Sequence, residues 1–204
     1  SRGLGDVYKR QYYMMFIICF PVCLLAHPLL KIWLGVVPDY TVIFLQIIVI
    51  QSLFQVFDSS FYTALYAKGR LRENALISPT LGFVSFPIIY FLFRAGYSPV
   101  VLSWASLLTY AVLGLIVKPI LVVKIANYCW RDVWNVFRPC LLVTVVALPV
   151  PVFLYHVIGV DNIPHSILLC FITVIIIILS IYWLGIDMLT KQEIGSYVKR
   201  RFGI

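Results

Sequence analysis

Four polar side chains stand in an otherwise greasy stretch and could do chemistry. They are Gln51, Gln55, Asp58 and Tyr62, spaced by four, three and four residues, which places them on one face of a helix. The stretch that carries them, Asp39 to Tyr66, has no Lys or Arg. At ~1.5 Å per residue it is longer as a helix than the ~30 Å hydrocarbon core of a bilayer. A carboxylate and two amides on one stripe cannot face lipid tails; they require protein or a watery cavity. An ionised carboxylate at mid-membrane depth costs on the order of 3 kcal/mol, so Asp58 needs a cation, a proton or water. Two roles follow for it. One is a proton- or cation-coupling site or a polar contact for substrate; the other is a structural carboxylate bonded to a neighbouring helix or wetted near the surface.

The remaining charged and conformationally special residues are few. Lys68, Arg70 and Arg72 form a basic turn directly after this stretch. Arg94 closes the next apolar run, where it either snorkels to headgroups or attracts an anion in an outward cavity. That run holds Pro79 and Pro87, candidate hinges, and the small row Ser78, Gly82 and Ser85, which would let another helix approach closely. The following run shows a second packing row, Ser103, Ser106, Tyr110 and Gly114. Cys19, Cys23, Cys129, Cys140 and Cys170 form no C-x-x-C pair, and neither a disulfide nor a metal site is expected. No Walker loop, G-x-G-x-x-G, G-x-S-x-G or H-E-x-x-H occurs, so the expectation is a non-enzyme with no cofactor.

The elements that must hold these groups are transmembrane helices. The chain has 204 residues, of which 62% are hydrophobic and only 12% charged; soluble domains are nearer half apolar and a quarter charged. The charges cluster between apolar runs, so the net charge of +8 reflects membrane flanks and not a nucleic-acid partner. The expected fold class is all-α: a polytopic membrane protein with six spans, namely Tyr12–Leu30, Asp39–Tyr66, Ala75–Phe93, Val100–Val123, Phe137–Ile158 and His165–Ile186. Lys and Arg gather in the turn 68–72, in the 118–138 connection and in the tail, against only Lys31 and Arg94 on the other side. The positive-inside rule then makes the C-terminus cytoplasmic. On this count no Lys or Arg lies in the middle of any span. The segment 128–138 alternates aromatic with polar residues and is expected to be an in-plane helix. The tail, 187–204, carries a capping box at Thr190 and Glu193 and a basic amphipathic face suited to membrane lipids. Polarity declines along the chain, so the first four spans are expected to line the working core and the last two to lie at the periphery.

Two segments resemble known sequences. Residues 1–11, SRGLGDVYKRQ, resemble a translated sequencing adaptor and are read as non-native; residues 12–186 are then the membrane lobe. The run Pro28-Leu29-Leu30-Lys31-Ile32-Trp33-Leu34-Gly35, followed by Pro38-Asp39-Tyr40-Thr41, is similar to the polysaccharide transporters of the MOP superfamily, the Wzx-type O-antigen flippases. Ala67, Gly69, Arg70 and Arg72, and then Pro87, Tyr90 and Gly96, fit the same family, so the likeness covers about residues 21–99. It implies the C-terminal six helices of a transporter of 12 to 14 spans in the bacterial inner membrane. Such a protein moves an undecaprenyl-pyrophosphate-linked oligosaccharide by alternating access, with a missing N-terminal lobe as partner. The family holds its anionic carrier in a cationic cavity, which this reading leaves to the missing lobe or to Arg94 and the 68–72 turn. The alternatives are a multidrug or cation antiporter of the same superfamily, or a membrane-embedded polymerase, ligase or acyltransferase.

Overall fold

The computed structural model describes residues 2–69, 72–158, 162–186 and 191. Arg70 and the capping box at Thr190 and Glu193 lie outside the described residues, as does nearly all of the basic tail. The described elements are helical throughout: α1 (Arg2–Leu24), α2 (Ala26–Leu34), α3 (Thr41–Ala67), α4 (Arg72–Arg94), α5 (Val100–Val112), α6 (Lys118–Ala126), α7 (Trp130–Ala147), α8 (Pro149–Ile158) and α9 (Ile163–Ser180). A π-helical turn, Leu113–Val117, joins α5 to α6, and a second, Ile181–Gly185, extends α9. Among the described residues five helical runs are long and apolar enough to cross a membrane, and a sixth is made by α1 and α2 if that bent pair is one span. The chain is an all-α, multi-pass membrane protein.

The runs following α3 fall where the apolar stretches lie, but the first does not run straight. α1 ends at Leu24, and α2 starts at Ala26 at an angle of 74°. Pro21, inside α1, is not the cause. Pro28 cannot donate to the carbonyl of Leu24, and its ring would collide with that carbonyl. In the first turn of a new helix, where no N–H partner is required, it is tolerated. The break frees carbonyls at the end of α1. Leu25 N–H donates to Pro21 at 2.9 Å, and the Gln46 side chain on α3 donates to the Cys23 carbonyl at 3.1 Å.

The chain divides into two compact units, Ser1–Val136 and Phe137–Ile204. In the first, α3 is the central helix and packs against α1, α2, α5, the π turn and α6. α1 runs antiparallel to it in constant register. Tyr8 meets Phe61 edge-on at 6.4 Å between centroids, Tyr12 stacks on Phe57 at 5.0 Å, and Cys23 meets Gln46. The helix thus extends through residues 2–11, and Tyr8 packs there as a buried side chain. α4 lies at the edge of this unit, against α5, with Ile89 as its buried side chain among those described. In the row Ser78, Gly82 and Ser85, a methyl group on Gly82 would meet no described atom within 4 Å. α4 continues unbroken through Pro79 and Pro87.

In the second unit α8 packs on α9. The buried positions Ser166, Leu169, Thr173 and Ile177 recur at helical spacing along α9. Thr173 Oγ1 donates to its own helix at the Leu169 carbonyl, 2.7 Å away, so its hydroxyl is satisfied without a partner strand or helix. The segment expected as an in-plane helix is instead the first turns of α7, which runs from Trp130 to Ala147 without a break. The reason is visible in what α7 buries: Val133, Val136, Cys140, Val143 and Ala147 keep one helical face across the expected boundary. Trp130 and Trp134 stay 56% and 60% exposed.

Candidate functional site

Two consecutive features of the Val100–Ala126 run bring it against α3. The first is Gly114. A Cβ at this position would stand 2.7 Å from the Phe54 carbonyl oxygen and 3.4 Å from the Asp58 backbone nitrogen. Only a glycine lets the two backbones approach so closely. The second is the π turn around it, where Lys118 N–H donates to the Leu113 carbonyl. Pro119 accounts for this widening. It has no N–H for the carbonyl of Leu115, and its ring would press on that carbonyl in a regular turn. π turns of this kind occur frequently at functional sites.

One turn beyond Gly114 stands Lys118. Its Nζ lies 3.2 Å from Asp58 Oδ1, and the Lys118 side chain is 2% exposed while that of Asp58 keeps 21%. Oδ1 is itself buried and makes no aligned hydrogen bond, so the contact is an ion pair held by proximity. The Lys118 ammonium also sits 5.5 Å from the centre of the Tyr62 ring, within range of a cation–π attraction. Tyr62 in turn lies 6.4 Å from Tyr66, ring to ring. The pair sits about nine residues from the end of α3, or ~13 Å of helix, inside the apolar span.

The sequence reading placed Lys118 at the membrane-flanking end of its span and found no cation within any span. The structure corrects this: Lys118 is a buried cation inside the helical pass and the partner of Asp58. Its mid-run position among apolar neighbours, one turn after Gly114, was the available signal. Counting it as a flanking charge hid it.

The four residues of the polar stripe do not share one environment. Gln51 and Asp58 are partly covered, whereas Gln55 is exposed and Tyr62 is 41% exposed. The stripe therefore borders the surface of the first unit, with Asp58 reaching inward to Lys118. The basic candidates are dispersed. Lys68 stacks over Tyr128 at 6.0 Å, which places the end of α3 and the end of α6 on the same side of the unit. Arg72 and Arg94 are exposed at opposite ends of α4, ~33 Å apart along the helix. The structure thus assembles Asp58, Tyr62 and Lys118, and leaves Arg94 far from Arg72. Comparison with family models, with characterised proteins and with solved structures finds no match.

A membrane-embedded ion pair of this kind can hold opposite charges together at little net charge, or present one of them when the other is neutralised. Removing either partner alone leaves an uncompensated charge, a loss of about 3–5 kcal/mol in buried pairs. No ring of donors for a metal accompanies it: among the described residues no three His, Cys, Asp or Glu side chains converge.

Proposed function

We propose that this chain is one lobe of a membrane transporter that moves an undecaprenyl-pyrophosphate-linked oligosaccharide across the bacterial inner membrane, working with a second lobe and by transport rather than catalysis. The observation that carries the reading is the Asp58–Lys118 pair, a charged group inside a helical pass whose carboxylate borders the exposed polar stripe. Ionisable residues inside membrane spans mark substrate or ion pathways. The likeness at Trp33-Leu34-Gly35 favours the polysaccharide branch over cation exchange. The glycines at the ends of α2 and α3 fit the tight turns that the family-like motifs form. Gly35 and Gly69 have φ of +71° and +69°, a backbone region that side chains disfavour.

The test is export of surface polysaccharide by cells expressing the full-length protein, comparing Asp58→Asn, Lys118→Met and the double variant at equal membrane levels. Loss in all three, the uncharged double included, is the expected result. Wild-type export by the double variant would reduce the pair to a structural role. An antiporter would instead lose drug or cation resistance, with polysaccharide unaffected.

A further inference from the structure

The short helix α2 presents three different surfaces. Ala26 and Leu30, one helical turn apart, are buried against the protein. His27 and Lys31, also one turn apart, form an exposed polar edge. On the opposite flank Leu29, Ile32 and Trp33 are 47%, 59% and 80% exposed. Helical spacing of ~100° per residue puts these sectors side by side around the axis. A helix that crosses a bilayer meets protein and lipid; one that lies at its surface meets protein, water and lipid at once.

The placement of α2 agrees. It turns by 74° from α1 and packs against α3, which crosses the membrane. It sits beside the start of α3, at the end remote from Lys68. In the α1–α3 register Cys23 stands level with Gln46, little more than one turn from the start of α3 at Thr41, so α2 follows α1 close to the level where α3 enters the membrane. We infer that α2 is an interfacial anchor lying in the plane of the membrane, with Leu29, Ile32 and Trp33 seated in the headgroup–acyl boundary and Lys31 turned to water. Its partner is the lipid surface itself. Indole rings favour this depth because one edge is polar and the body apolar.

The experiment reconstitutes the full chain in bilayers of phosphatidylcholine brominated either near the headgroup or near the chain end, and measures tryptophan quenching. The signal of Trp33 is taken as the difference between the wild type and Trp33→Phe, a variant whose helical circular dichroism is checked against the wild type. The expected result is quenching by the shallow bromines at least about twofold stronger than by the deep ones, as for an interfacial ring. Equal or stronger quenching by the deep bromines would overturn the inference, because α2 would then continue the span. No quenching by either would also overturn it, because α2 would be covered by protein. Should Trp33→Phe alter the fold, spin labels at Lys31→Cys and Ile32→Cys decide. An anchor exposes the first to a water-soluble relaxant and the second to oxygen; the same relaxant reaching both rules it out.

Discussion

An ammonium group with 2% exposure inside an apolar run is held there by what touches it. Lys118 has a carboxylate at 3.2 Å and a ring face at 5.5 Å, two attractions that grow as water is excluded. Losing the carboxylate leaves the cation buried alone. Asp58→Asn is therefore expected to destabilise the protein in detergent by about 3–5 kcal/mol, and Asp58→Asn with Lys118→Met to recover most of that loss; thermal unfolding of the three proteins checks it. The Gln46 amide is a second, separate contact. Replacing Gln46 by Leu strands the Cys23 carbonyl at the α1 break, at a cost of about 1–3 kcal/mol, with no effect on the Asp58–Lys118 pair. The same unfolding measurement, repeated on the triple variant, should return additive losses, because the two contacts share no residue.

Apolar runs set where the helices lie, whereas Gly114 and Pro28 set how closely one packs and where another breaks. Gly114 permits the contact between the α5–α6 run and α3, so Gly114→Ala must push the backbones apart at the Phe54 carbonyl. Overpacking of this sort costs about 1–3 kcal/mol and draws Lys118 away from Asp58. Distance measurements between spin labels on α3 and α6 should lengthen in that variant and stay fixed in Gly82→Ala, where the methyl meets open space. The same residues explain what could be read from the sequence. The long runs α3, α4, α5–α6 and α9 were legible because length and hydropathy decide them. The break at Leu25 was not, since both Pro21 and Pro28 could have caused it and only Pro28 did. The start of α7 was hidden because the aromatics Trp130 and Trp134 drew attention to a face that stays exposed, while the quieter Val133 and Val136 carried the burial. The partner of Asp58 was hidden for another reason. Lys118 is distant in sequence, and its place among apolar neighbours one turn after Gly114 is the one local sign that it turns inward to a facing carboxylate.

At the scale of the whole molecule, the ends of α3 set a sidedness. Lys31 precedes its start and Lys68 follows its end, with a 27-residue helix between them. In a cysteine-free background, Lys31→Cys and Lys68→Cys are expected to react with a membrane-impermeant maleimide from opposite sides of intact cells, the second only after the cells are opened. Labelling of both from outside would contradict a crossing by α3. The wide turn Leu113–Val117 has a bearing on this arrangement too. Such a turn takes up one surplus residue, so the two halves of its helix keep nearly the phase of an uninterrupted one. An extra residue in an ordinary turn would swing everything after it through about 100°; taken up in the wide turn, it leaves Lys118 facing Asp58. The wide turn thus lets a proline stand directly after Lys118 without turning the ammonium off its acid.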